Sequence, residues 1–204
     1  MSGESSRHCA AMVARLAAAL REPDARITNI ESAIAKSGVS LRDISLHFGG
    51  TRELILAMAS ELADRMAAPL AALSVTADLR ARLLEFGEHV LELCATSHWR
   101  GLYRIGVTES IRKTELAREL HEAGPGKLVQ HLAAFLRMAQ EGGALGAGDP
   151  LLLAGHFLSP LIAAHDPVDG LMPGSPPGAV ARGTYVRNLV DLFCHGINRT
   201  RQLC

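Results

Sequence analysis

The run TNIESAIAKSGVSLRDISLHFGGTREL, from Thr28 to Leu54, constrains the fold more than any other part of this 204-residue chain. Thr28 is a good N-cap for a short helix through Lys36. Ser37-Gly38-Val39 supplies a tight turn, in which Gly38 is free to take a positive φ. Ser40 is placed to cap a second short helix running to about His47, and Phe48-Gly49-Gly50 closes it. Thr51 is placed to cap a third helix, with Glu53 in its first turn, where the helix dipole favours an acid. The spacing predicts a helix-turn-helix leading straight into a further helix. Ala33, Ile34, Val39, Ile44, Phe48 and Leu54 are its expected core.

The rest of the chain is patterned for helix as well. Met12, Leu16 and Leu20 lie four apart and give a first helix its inner face. Leu54, Met58, Leu62 and Met66 repeat that step, which predicts a helix from Thr51 to about Pro69. Leu79, Leu83, Phe86, Val90 and Leu93 form the cleanest amphipathic stripe. Leu128, Leu132 and Phe135 mark another helix, expected to begin after Gly124-Pro125-Gly126 and to end at Gly142-Gly143. Asp149-Pro150 is a strong start signal, an aspartate cap with proline in the first helical position. Val186, Leu189, Val190, Phe193 and Ile197 mark the last helix. Between these two helices, Asp166 to Gly178 is expected to be an irregular loop, because its four prolines cannot sit in a regular helix. No alternating strand pattern or internal repeat is present, and the expected class is all-α.

Charge limits the partners only weakly. Lysine plus arginine and aspartate plus glutamate are equal at 21 each, so no overall basic field points to nucleic acid. The first 60 residues carry seven basic and six acidic side chains, a net of +1. Cys9, Cys94, Cys194 and Cys204 lack CxxC or metal-type spacing and are expected to be free thiols, with a redox-sensing role for Cys9 or Cys204 as the other reading. Nine histidines are present, but His98, His121, His131, His156 and His165 show no compact ligand spacing, so no metal site is expected. No motif calls for a cofactor. No apolar run reaches the ~18 residues of a membrane span, and the N-terminus lacks a signal-peptide pattern. A soluble, cytoplasmic protein is the expectation.

The helix-turn-helix resembles that of the TetR family of bacterial transcriptional regulators. The residues that carry the likeness are Gly38-Val39-Ser40 at the turn, His47-Phe48 at the end of the second helix and Arg52-Glu53-Leu54 at the next helix start. This chain departs from the family pattern in three places. Ala33-Ile34 stands for Ile-Ala, Ser45 replaces a phosphate-contacting tyrosine, and Thr51 replaces a lysine. A second run, GLYRIGVTESIRKTELARELHEAGPGKLVQHLAAFL, resembles the ligand domain of AcrR-like members through Glu109, Thr114-Glu115-Leu116 and Gly124-Pro125. GALGAGDPLLLAGHFL is similar to a later stretch of the same domains.

The resemblance implies a DNA-binding domain over residues 1–50 and a ligand-binding and dimerisation domain over 51–204, joined by the helix 51–69. A recognition helix from Ser40 to His47 would lie in the major groove, with Arg42 bridging guanine O6 and N7 and Leu41 against a thymine methyl. Thr28, Asn29, Ser45, His47, Thr51 and Arg52 are the candidates for phosphate contacts. A pocket among the middle helices would take a small, partly apolar effector, with Phe86, His89, Trp99, Leu102, Tyr103 and Phe135 as candidate lining. The last two long helices, about Asp149–His165 and Ala179–Asn198, would pair in a homodimer. The implied function is a ligand-responsive repressor, released from its operator by a small molecule. Two other classes stand beside it. One is a TetR-like dimer that has lost strong DNA binding and serves a ligand or protein partner. The other is an enzyme, for which no nucleophile elbow, P-loop or dinucleotide fingerprint is found.

Overall fold

The computed structural model describes residues 3–21, 30–71, 78–112, 115–163 and 179–198, and among them the chain forms ten α-helices and no strand. In chain order these are α1 (Gly3–Arg21), α2 (Ile30–Ser37), α3 (Leu41–Phe48), α4 (Thr51–Ala67), α5 (Leu79–Cys94), α6 (Ser97–Ile111), α7 (Glu115–His121), α8 (Lys127–Glu141), α9 (Pro150–Ala163) and α10 (Ala179–Asn198). A short 3-10 turn, Ala68–Ala71, follows α4, and a π turn, Glu122–Gly126, joins α7 to α8. The residues group into two compact units: 1–63 with 96–125, and 64–95 with 126–204. This grouping does not follow the boundary expected after residue 50, because 96–125 cluster with the N-terminal helices.

In the first unit, α1 packs on α2, α3 and α6, and α6 packs on α7. Met12, Leu16 and Val13 turn inward from α1. From α4 the buried row is Leu54, Ile55, Met58 and Leu62, the four-residue step with a second apolar position beside it. At Gly124 a Cβ would lie 3.5 Å from the Ala59 methyl, which brings the π turn close against α4.

The second unit is built on the stripe read from α5. Leu83, Phe86, Val90 and Leu93 are all buried, as are Leu128, Leu132 and Leu136 of α8, Phe157 and Leu161 of α9, and Val186 and Val190 of α10. Asp78 caps α5, its carboxylate accepting from the backbone N–H of Arg80 at 3.0 Å. Arg80 reaches the carboxylate of Asp191 on α10 at 2.8 Å. Asp149 opens α9 as expected, its carboxylate accepting from the N–H of Leu151 at 2.9 Å. Tyr185 donates its hydroxyl to the carbonyl of Pro160 at 2.9 Å, so the carbonyl of the proline within α9 is engaged by α10. The turn between α8 and α9 is closed by one side chain. Gln140 donates from Nε2 to the carbonyls of Gly146 at 2.9 Å and Gly148 at 3.0 Å, over the buried Leu145. Asp64 accepts from Lys127 at 2.6 Å and meets His131 at 3.0 Å, holding the end of α4 to α8.

Gly87 sits on the side of α5 that faces α9 and α10. A Cβ there would come within 2.7 Å of Val186 Cγ1, with Leu161 and Phe157 at 3.8 Å. Val186 is fully buried, so the methyl has nowhere to go without displacing α10. Gly87→Ala is expected to lower stability by about 1–3 kcal/mol despite alanine's better helix propensity, measured by urea denaturation.

Three local expectations are corrected. Thr51 does not cap α4. It is the helix's first residue, and the carbonyl of Gly50 receives the first helical bond from Leu54 N–H at 3.1 Å. α4 ends at Ala67, with Pro69 in the 3-10 turn, because proline cannot donate a helical hydrogen bond. The start of α8 falls where it is expected, at Lys127 directly after Gly124-Pro125-Gly126, and the π turn Glu122–Gly126 accommodates Pro125 between α7 and α8. On α8 the inner position falls to Leu136, while Phe135 is half-buried. The expected loop 166–178 and the Pro23-Asp24 break lie outside the described residues.

Candidate functional site

The turn and the helix after it are fixed by short-range bonds. Gly38 has φ +67°, a left-handed conformation that glycine adopts without strain. Ser37 Oγ donates to the carbonyl of Ile34 at 2.7 Å and accepts from the N–H of Val39 at 3.2 Å, so one hydroxyl staples both sides of the turn. Ser40 is extended at φ −76°, ψ 138°, and its hydroxyl accepts from Asp43 N–H at 3.1 Å, capping α3. Gly49 closes α3 with φ +92°, its N–H reaching the carbonyl of Ser45 at 3.1 Å.

With both ends fixed, α3 has one buried side and one open side. Ile44 is buried at 1 % exposure and anchors the helix. Ala33, Ile34, Val39 and Leu54 are buried as expected. Phe48, the last residue of α3, is only half-buried. Leu41, Arg42, Ser45 and Leu46 face solvent, with Leu41 63 % and Leu46 75 % exposed. Sequence reasoning picked out the first three and missed Leu46. The signal was available: Leu46 lies two residues beyond the anchoring Ile44, on the far side of the helix.

The expected phosphate contacts fare differently from one another. Thr28 and Asn29 lie outside the described residues. Ser45 is exposed and Thr51 half-buried. The His47 ring lies 4.6 Å from that of His8 on α1 and is half-buried there. Arg52 is engaged by acids on α7. Its Nε donates to Glu119 Oε2 at 2.7 Å, its Nη2 to Glu119 Oε1, and Glu115 lies 3.7 Å from Nη2. The paired fork raises the guanidinium pKa still further and, through the same hydrogen bonds, holds Glu119 below the ordinary carboxylate value.

The six candidate effector residues divide between the units. Trp99, Leu102 and Tyr103 belong to the first, and Phe86, His89 and Phe135 to the second. Leu102 is buried, whereas Trp99 and Tyr103 are half-buried. Phe86 is wholly enclosed, its ring 6.2 Å from that of Phe157, and serves the core. His89 lines a groove of about 500 Å³ with Ala68, Pro69, Glu85, Glu88 and Glu92, and its Nε2 lies 3.0 Å from the carbonyl of Arg65. The three glutamates follow helical spacing on the outer face of α5, so this groove is lined by acids as well as by His89. Cys94 is buried, which pushes its thiol up to about 12 and leaves it unreactive. Cys9 and Cys194 are half-buried free thiols, and Cys204 lies outside the described residues. Among the described residues no group of three or more His, Cys, Asp or Glu is placed to hold a metal, and no helix is long and apolar enough to cross a membrane.

The family model of the AefR-like transcriptional repressor C-terminal domain matches residues 81–196, more than half of the chain. The chain is a TetR-family transcriptional regulator. The AcrR-like run from Gly101 falls inside the matched span. No curated protein matches the sequence. Solved structures give the same fold over nearly the whole regulator. A protein described as a TetR-family transcriptional regulator from Mesorhizobium loti is 19 % identical, with a TM-score of 0.73 over 96 % of this chain and 98 % of that one. The flavonoid-responsive regulator FrrA is 21 % identical, with a TM-score of 0.65 over 94 % and 97 %. A TetR-family regulator from Pseudomonas syringae pv. tomato is also 21 % identical, with a TM-score of 0.63 over 94 % and 96 %.

Proposed function

We propose that this regulator is a repressor that binds operator DNA as a cytoplasmic homodimer and is released by a small, partly apolar effector. It performs no catalysis. The observation that carries the reading is the open face of α3. Leu41, Arg42 and Ser45 project from a helix capped at both ends and anchored by Ile44. That is the arrangement a recognition helix needs in the major groove. Arg42 reads guanine, Leu41 meets a thymine methyl, and Thr28, Asn29, Ser45, His47 and Thr51 set the register on the phosphates, with Ser40 capping the recognition helix.

Functionally the chain divides at residue 50, with 51–204 devoted to effector and partner. Dimerisation runs through α9 and α10, where Leu151, Leu152 and Leu192 are 42 %, 56 % and 73 % exposed. Two recognition helices must meet half-sites roughly 34 Å apart, so a single copy has half a binding surface. Effector and operator then favour different arrangements of the dimer, which couples the two sites.

A salt-titrated binding assay on DNA from upstream of the regulator's own gene tests this. Selective binding is expected in the ~10⁻⁸–10⁻¹¹ M range at physiological salt. Arg42→Ala is expected to weaken it by about 1–3 kcal/mol, roughly 5- to 150-fold, and to relax preference at one base pair. A second reading, a dimer with lost DNA binding that serves another partner, is favoured by the occupied guanidinium of Arg52. A folded dimer with no selective binding even at low salt would establish that reading instead.

A further inference from the structure

Two leucines on the open face of α3 demand an account. Eight large apolar side chains are strongly exposed among the described residues, and two of them, Leu41 and Leu46, sit on this one eight-residue helix. Leu46 at 75 % exposure contributes almost nothing to the fold, since Ile44 already anchors the helix. A leucine side chain has no hydrogen-bond donor, so it cannot serve a phosphate. On the floor of the major groove the apolar group exposed at base edges is the C5 methyl of thymine.

We propose that Leu46 is a specificity-determining residue that selects thymine in the operator half-site by covering its C5 methyl. This rests on the DNA-binding reading above and deepens it by stating what the half-site contains. Leu41 and Leu46 are five residues apart, which separates them by about 7.5 Å along the helix axis at a rise of about 1.5 Å per residue. Five residues also place them about 140° apart around the helix, with Arg42 between them in angle as well as along the axis. The guanine read by Arg42 and the thymine covered by Leu46 therefore belong to the same half-site. The apolar contacts also compensate for the small number of cations on this face, since they gain affinity without counterion release.

The test begins with selection of binding sequences from a pool of random-sequence duplexes, using the full-length protein. Each thymine of the selected half-site is then replaced by deoxyuridine, which removes the methyl and nothing else. For the wild type, uridine at one position is expected to weaken binding about fourfold, the effect of one buried methyl group. Leu46→Ala is expected to bind both versions equally at that position, while Leu41→Ala keeps the fourfold difference there. The substitution is on an exposed side chain, and an unchanged circular dichroism melt shows that the variant is folded. Selected sequences whose binding is indifferent to every methyl, or a methyl effect that survives in Leu46→Ala, would overturn the proposal while leaving DNA binding intact. Selection of no sequence at all would remove both.

Discussion

Phe157→Ala should cost about 3–5 kcal/mol of folding stability. Phe157 is fully buried at the centre of the second unit. Its ring lies 6.2 Å from Phe86 in a near-parallel stack and 5.2 Å from Phe193 edge-on, so three helices meet on one side chain. On a third side it closes against Gly87. Truncation removes both ring contacts and leaves a void that buried neighbours on three helices cannot collapse into together. Denaturant unfolding followed by far-UV circular dichroism measures the loss. Met138→Ala on α8 is the control, because that side chain is 43 % exposed and lies off the two helices assigned to dimerisation. A fall of under about 1 kcal/mol for Phe157→Ala would mean that the aromatic stack is not the keystone of this unit.

Glu119→Gln should change operator binding in the opposite sense from Arg42→Ala. Glu119 takes the fork of Arg52, and Glu115 stands beside it, so this cation is neutralised within the protein. Glutamine removes the charge and one of the two good acceptors. The guanidinium is then available to a phosphate, adding about one released counterion. The expected result is tighter binding, about eightfold at 0.1 M salt, with the slope of log K against log salt steeper by about one. Arg52→Ala in the same background should abolish the gain. Because the hydrogen bonds from Arg52 hold Glu119 below its ordinary pKa, the wild-type pair stays charged throughout the neutral range, and the difference between the two proteins should not vary with pH there. Equal affinity and equal slope would mean that Arg52 lies out of reach of DNA whether or not it is paired.

These two residues also show what a sequence read on its own conveys. The helix-turn-helix was legible because its determinants are local. Ser37, Gly38, Ser40 and Gly49 each act within four residues, and all four do in the structure what their chemistry predicts. The stripe from Leu83 to Leu93 was equally legible, since helical spacing reports an inner face directly. Arg52 looked like a free cation because Glu119 is 67 residues away along the chain. Phe86 and Leu102 looked like pocket lining because an aromatic or aliphatic side chain at helical spacing is written the same way for a cavity and for a core. The boundary at Gly124-Pro125-Gly126 was legible because proline and glycine mark helix ends locally, whereas the π turn that seats Pro125 there has no comparable sequence pattern.

The clamp made by Gln140 governs how this chain can vary. One amide holds the carbonyls of Gly146 and Gly148, and between the two helices Gly143 has φ +73° and Leu145 is buried. The span from residue 140 to residue 148 therefore behaves like a drawn cord of set length. Ala144 and Ala147 are exposed and open to exchange in kind. Insertion or deletion of even one residue would pull the carbonyls off the amide, so homologues that keep this glutamine are expected to keep the residue count up to the aspartate that opens α9, whatever letters fill it.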